Sequence, residues 1–232
     1  MSDPITDLSH RLGRVRDALG EACDHAGRAR DSVTLMAVSK TRPADAVRAA
    51  AAAGQRDFGE NYLQEALEKI SALRGEPLVW HFIGPIQSNK TRDIASHFDW
   101  VHSVDRLKIA RRLSSQRPED RPPLNICLQV NISGEASKSG VAPAEAAALA
   151  GEIARLPGLR LRGLMAIPEP DSATPGAPFA ALRELQAEIA RGLGASGELD
   201  TLSMGMSDDF PAAIAEGATI VRIGTAIFGP RE

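Results

Sequence analysis

Residues 124–167, LNICLQVNISGEASKSGVAPAEAAALAGEIARLPGLRLRGLMAI, hold the reading on which the fold turns. The stretch opens and closes on short runs of aliphatic residues, 124–133 and 159–167, of strand length. Between them PAEAAALAGEIARL is built from strong helix formers. A strand, a helix and a second strand in succession call for parallel pairing, because the helix supplies the crossover back across the sheet. The same alternation extends in both directions. VTLMAVS (33–39), DFGE (57–60), LVWHFIG (78–84), WVHSV (100–104), TLSMGM (201–206) and TIVRIGTAIF (219–228) read as further strands. ADAVRAAAAA, LQEALEKISAL, RDIASHF, RLKIARRLSS, FAALRELQAEIARGL and PAAIAEG read as the helices between them.

About eight such units predict an α/β chain closed as a (β/α)₈ TIM barrel, a fold of about 250 residues. A doubly wound open sheet is the competing architecture, but no GxGxxG follows an early strand to support it. Ahead of the first strand, Ile5, Leu8, Leu12, Val15 and Leu19 recur at helical spacing, so residues 1–29 form an extra N-terminal helix closed near Gly27. The Pro- and Gly-rich stretch 168–178 reads as a loop after the sixth strand, too short for a domain linker. The expectation is therefore one domain over residues 1–232, with no C-terminal β-domain.

Composition narrows the function classes. Lys and Arg number 27 against 30 Asp and Glu, a formal charge of −3, which argues against a dedicated nucleic-acid binder. No apolar run approaches the roughly 18 residues that span a bilayer, and MSDPITDLSH lacks the basic and apolar regions of a signal peptide, so a cytoplasmic location without membrane association is expected. Cys23 and Cys127 sit in no CxxC, and the five histidines form no HxxxH or HExxH pair, so neither a disulfide framework nor a metal site is expected.

In a (β/α)₈ barrel the site lies at the C-terminal ends of the strands. Lys40 closes the first strand, in MAVSKTRP; partial desolvation there would lower its pKa as an imine-forming amine requires, although a strand-end lysine also reads as the start of a solvated loop. After the seventh strand, Ser207 precedes Asp208, Asp209 and helix formers, a natural phosphate site and equally an ordinary helix cap. After the eighth strand core come Gly224, which allows close backbone approach or a barrel bend, and Thr225, with its hydroxyl. Phosphate is frequently held by the loops after strands 7 and 8. A Schiff-base lysine opposite a phosphate cradle fits pyridoxal phosphate among common cofactors. Arg222 is placed either to reach the pyridine nitrogen, weakening the ring as an electron sink, or to form an ion pair inside the barrel.

Eight blocks in order, AVSKTRP, FGENYLQEAL, WHFIGPIQSNK, VHSVDRLKIA, VNISGEASKSG, LRGLMAIP, LSMGMSDDF and VRIGTAIFG, resemble the pyridoxal phosphate homeostasis protein family. The resemblance runs from about Val33 to Gly229. It implies the alanine racemase N-terminal-type barrel, fold type III among pyridoxal phosphate proteins, with the cofactor in Schiff-base linkage to Lys40. By motif position it implies that Ser207, Gly224 and Thr225 hold the phosphate, that Arg222 faces the pyridine nitrogen, and that Asn61 lies beside the ring. Lys138 matches a lysine implicated in cofactor handling. The sequence as read to Arg231-Glu232 leads to the expectation that the basic C-terminal tail found in some members is missing.

Two function classes follow. One is a protein that stores, buffers or delivers pyridoxal phosphate inside the cell, to pyridoxal phosphate-dependent apo-enzymes among others, and so affects amino-acid and keto-acid balance indirectly, without being an enzyme itself. The other is an amino-acid racemase of the alanine racemase type. A racemase needs a base on each face of the substrate. In alanine racemase the base opposite the lysine is a tyrosine from a C-terminal β-domain, whereas the single tyrosine here, Tyr62, belongs to another block. His81, at the end of the third strand, is the remaining candidate for a second base, or a hydrogen-bonded ring contact. A class I aldolase, whose lysine attacks substrate directly, would hold no chromophore. Without a partner-contacting β-domain, a monomer is expected.

Overall fold

A computed structural model describes residues 4–134, 139–168, 174, 176–194 and 199–230, with the side chains of 4–6 left undescribed. Eight strands alternate with helices: α1 Pro4–His25, β1 Thr34–Val38, α2 Ala44–Ala52, β2 Asp57–Glu60, α3 Leu63–Ala72, β3 Val79–Phe82, α4 Thr91–His97, β4 Trp100–Val104, α5 Leu107–Gln116, β5 Leu124–Gln129, α6 Pro143–Ile153, β6 Leu159–Met165, α7 Ala177–Leu193, β7 Thr201–Ser203, α8 Phe210–Ala215, β8 Ile220–Ile223 and α9 Thr225–Phe228. All neighbouring strands pair in parallel, and β8 returns to β1, which closes the barrel in sequence order. The open-sheet alternative is thereby excluded.

Closure places the ends of the strands. Met36 pairs with Arg222 and Ala37 with Ile223, so the segments that leave β1 and β8 emerge side by side at one end of the barrel. On the other flank of β1, Val38 pairs with Gly59, two residues before Asn61.

The eighth strand is shorter than the run 219–228 suggests. It ends at Ile223, and the Gly224 carbonyl accepts from the backbone N–H of Ile227 and Phe228 at 3.0 Å each, turning Thr225–Phe228 into a helical turn. Ile227 and Phe228 are buried against the barrel wall rather than paired in the sheet, so hydrophobicity in this run reports burial and not strand.

Helix α1 buries Leu8, Leu12, Val15 and Leu19 along one stripe, each worth about 1.5–3 kcal/mol on transfer from water. The stripe packs on α2, α8 and α9. Gly27, at φ +65°, ends the helix, with Arg28 N–H bonding to the Cys23 carbonyl at 2.9 Å. Arg11 Nε donates to the Ile227 carbonyl at 2.9 Å, so the extra helix braces the turn after β8. Ile5, Lys138 and most of loop 168–178 lie outside the described side chains. Among the described residues no helix is long and apolar enough to cross a membrane.

Candidate functional site

A cavity of about 640 Å³ opens at the end of the barrel where the strands terminate, within the usual size range for small-molecule sites. Lys40, Asn61, Ser207, Arg222, Gly224 and Thr225 all line it, although they are up to 185 positions apart in the chain. Val38, Ile83, Met165 and Ile167 supply its apolar walls. Lys40, Asn61 and Ser207 are half-buried, Thr225 and Asp208 are exposed, and Arg222 is buried, so the cavity is polar and open on one side and closed at its base.

Lys40 follows Ser39 out of β1, and the backbone on both sides of it is tied to one ionic cluster. Lys69 of α3 donates to the Ser39 carbonyl at 2.6 Å, to Glu60 Oε1 at 2.7 Å and to Glu65 Oε1 at 2.5 Å. Ser39 Oγ donates to Glu60 Oε1 at 2.6 Å, and Thr41 N–H donates to Glu65 Oε1 at 2.6 Å. Thr41 has φ +64°, a left-handed conformation unusual for a non-glycine residue, and its bond to Glu65 helps to hold it there. The Lys69 and Glu60 side chains are 4% and 0% exposed. Burial raises the Glu60 pKa, opposed by Lys69 and by the Ser39 hydroxyl. Sequence reading passed over this cluster; the i,i+4 pair Glu65 and Lys69, following Glu60 at a strand end, was the available signal.

Asn61 is carried on a tight contact. A Cβ on Gly84 would lie 2.0 Å from the Asn61 carbonyl oxygen, so only glycine at this point of the WHFIGPIQSNK block lets the ends of β2 and β3 approach. The Asn61 Oδ1 is buried without a hydrogen-bond partner, an acceptor that the protein leaves unsatisfied beside the cavity.

Ser207 sits three residues before α8, and the position preceding that helix belongs to Asp209, whose Oδ1 accepts from Met206 N–H at 2.5 Å. The N-cap position thus belongs to Asp209, although its side chain makes no capping bond, and Ser207 is left on the cavity wall. Gly205, at φ +93°, shapes the same turn, and its carbonyl accepts from Arg222 N–H at 3.0 Å.

Arg222 projects into the barrel interior beneath the cavity. Its Nη1 donates to the Ser203 carbonyl at 2.6 Å and to Ser203 Oγ at 3.0 Å, and its Nη2 donates to the Ala166 carbonyl at 2.9 Å. Among the described residues no carboxylate lies within ion-pair distance of it, so the ion-pair alternative gives way to a guanidinium held by carbonyl and hydroxyl oxygens. Burial pushes its pKa down to about 10, which leaves it charged at neutral pH.

His81 is 1% exposed and does not line the cavity. Its Nδ1 meets His102 Nε2 at 2.9 Å and its Nε2 meets Asp57 Oδ1 at 3.0 Å. Both ring nitrogens are engaged inside the barrel, which removes it as a second base at the site. Tyr62 is 55% exposed and lies off the cavity lining. No cluster of three or more His, Cys, Asp or Glu suited to a metal ion occurs among the described residues.

Residues 12–232 match the model of the alanine racemase N-terminal domain family. A pyridoxal phosphate homeostasis protein of Pseudomonas aeruginosa is 63% identical over 98% of this chain and 97% of its own length, and one from Escherichia coli K12 is 53% identical over 98% of each. The chain belongs to the pyridoxal phosphate homeostasis protein family. Among solved structures of similar proteins is PipY of Synechococcus elongatus, described with PLP bound, at a TM-score of 0.83 and 39% identity, covering 96% of this chain and all of that one. Alanine racemase of Corynebacterium glutamicum shares the fold at a TM-score of 0.69 and 20% identity, and this chain covers 62% of it. Family membership thus agrees with the closed barrel.

Proposed function

We propose that this chain binds pyridoxal 5'-phosphate in the cavity at the barrel mouth, holds it covalently through Lys40, and releases it again as a carrier in pyridoxal phosphate homeostasis rather than as an enzyme. The observation that carries the reading is the convergence of Lys40, Arg222 and the Ser207, Gly224 and Thr225 loops on one cavity. PipY, a relative described with the same cofactor bound, supports it.

The residues present fit the group. The unpartnered Asn61 Oδ1 supplies an acceptor for a ligand donor, and the cavity combines apolar walls for a ring with hydroxyls for a phosphate. When bound, the cofactor supplies an aldehyde that condenses with amines and a ring that withdraws electrons from them. Lys40 would provide the amine, and the cluster of Glu60, Glu65 and Lys69 holds the backbone on both sides of it through Ser39 and Thr41. Ser207 and Thr225 offer hydroxyls to the phosphate, while Gly224 keeps that wall low: a Cβ there would lie 3.3 Å from the Val38 carbonyl. Arg222, which lines the cavity base, would present N–H donors to the ring nitrogen, and its positive charge would keep that nitrogen unprotonated.

The half-open mouth suits exchange of the cofactor better than chemistry that must exclude water. The engagement of both His81 nitrogens removes the histidine candidate for a second base, which supports the non-enzymatic reading. In this proposal residues 1–232 work as a single, monomeric barrel domain in the cytoplasm, and pyridoxal phosphate-dependent apo-enzymes are the recipients. Lys40→Ala tests it: visible absorbance on adding pyridoxal phosphate to the unaltered protein, lost in the variant, is the expected result. Protein that takes up no cofactor would overturn the binding, and robust racemisation or decarboxylation of a common amino acid would overturn the carrier role.

A further inference from the structure

Five polar side chains run in one file through the barrel, from the start of β2 to the base of the cavity. Arg222 Nη1 lies 3.0 Å from Ser203 Oγ; Ser203 Oγ lies 2.9 Å from His102 Nδ1; His102 Nε2 lies 2.9 Å from His81 Nδ1; His81 Nε2 lies 3.0 Å from Asp57 Oδ1. His81, His102, Ser203 and Arg222 are buried, and Asp57 reaches partial exposure at the opposite end of the barrel from the cavity.

The direction of every bond follows from the two ends. A guanidinium only donates, so Ser203 Oγ accepts from Arg222, and with each ring carrying one proton its own proton goes to His102 Nδ1. Burial first, then the neighbouring His81 and Arg222, hold the His102 pKa well below the ordinary imidazole value, so the ring is neutral and carries its proton on Nε2. That proton is donated to His81 Nδ1, which places the His81 proton on Nε2, directed at the carboxylate of Asp57. The other order, with His102 Nδ1 donating to the second lone pair of Ser203 Oγ and His102 Nε2 accepting from His81, would need His81 to carry protons on both nitrogens. Both rings are further held against Trp100, with centroids 5.7 Å away in each case.

We propose that Asp57, His81, His102 and Ser203 form a one-way hydrogen-bond chain along the barrel axis that positions Arg222 against the ring nitrogen of the cofactor. The chain ends in a positive and a negative charge, and its bonds are aligned in a low-dielectric interior where each polarises the next. It occupies the inner edge of Arg222, with Ala166 and the Ser203 carbonyl taking its other inward donors, and leaves the outer edge to the cavity. These four are positioning residues, acting on the ligand only through Arg222. The functional half of the inference rests on the cofactor-binding reading above; the bond directions do not.

Two measurements test it. In ligand-free protein labelled with ¹⁵N-histidine, long-range ¹H–¹⁵N spectra should show His102 as a neutral ring protonated at Nε2 at neutral pH, with His81 accepting at Nδ1 and protonated at Nε2. Either ring protonated at Nδ1, or a charged His102, overturns the chain. In the second, binding of pyridoxal phosphate is compared with binding of its 1-deaza analogue, in which C–H replaces the ring nitrogen. Ser203→Ala should weaken pyridoxal phosphate about fivefold, the worth of one hydrogen bond, and leave the analogue unchanged. Equal weakening of both, or of neither, overturns the positioning role. If the unaltered protein binds neither compound, the cofactor reading fails and the functional half falls with it, while the imidazole spectra still decide the chain.

Discussion

Replacing Lys69 by Met removes the cation from the cluster behind Lys40 while keeping most of the side-chain volume. The lysine makes three bonds of 2.5–2.7 Å, and its loss leaves Glu60 fully buried with the Ser39 hydroxyl as its remaining donor. Breaking a buried pair by deleting one partner costs about 3–5 kcal/mol, against a total stability of about 5–15 kcal/mol for an ordinary domain. Urea denaturation at pH 7.5 should register that loss. Adding Glu60→Gln removes the stranded charge, so the double variant should recover to within about 2 kcal/mol of the unaltered protein.

The pH dependence carries a definite sign. Burial already raises the Glu60 pKa above its ordinary 4.5 even though Lys69 pulls it down, and without Lys69 it rises further. A carboxyl with a raised folded-state pKa favours the folded state below the ordinary value, and that contribution is lost as pH rises through the raised one. The deficit of Lys69→Met should therefore be full at neutral pH and shrink as pH falls toward 4.5. A single-variant cost under about 1 kcal/mol, additive single and double costs, or a deficit that widens on acidification would refute the reasoning.

Three further outcomes follow from the geometry. Asn61→Ala deletes a buried acceptor without a partner, so stability of the ligand-free protein should stay level or rise by about 1 kcal/mol while cofactor affinity falls, read by melting with and without pyridoxal phosphate. Gly84→Ala forces a Cβ to within 2.0 Å of the Asn61 carbonyl and should cost about 1–3 kcal/mol in chemical denaturation and weaken cofactor binding as well. Burial pushes the Cys127 thiol up to about 12 and raises that of Cys23, and both are fully buried, so neither should react with an aromatic disulfide reagent at pH 8 until the protein unfolds.

Much of the architecture was legible because one signal repeats. Each strand of a parallel barrel is buried on both faces and reads as an apolar run, and each crossover helix separates it from the next. The limit shows at residues 219–228, where apolar character continues from β8 into α9: hydrophobicity marks burial, and whether a buried segment pairs or coils depends on what Gly224 permits. Five of the six candidate cavity residues, all but Asn61, which came from the family resemblance alone, were legible for a related reason. They stand at strand ends, and a barrel gathers all strand ends at one mouth, so positions such as Lys40 and Thr225 become neighbours through topology alone.

The polar residues behind those six were not legible. His81 at a strand end read as either a second base or a hydrogen-bonded ring contact, and the side it faces is decided by the pleat and by the register that pairs it with Gly59. Lys69 had no role in the sequence pattern and is 3% exposed, because its amine reaches Glu60 at the end of β2 and the Ser39 carbonyl. By itself the amino-acid order determined the succession of strands and helices, the closed barrel that this succession favours, and the strand ends that carry reactive groups, since these depend on local propensity and burial period. Only the tertiary structure decided which polar groups share the interior. A bond such as that between His102 and Ser203 joins residues 101 positions apart, and whether it forms depends on register, twist and tautomer, quantities that exist only once the barrel has closed.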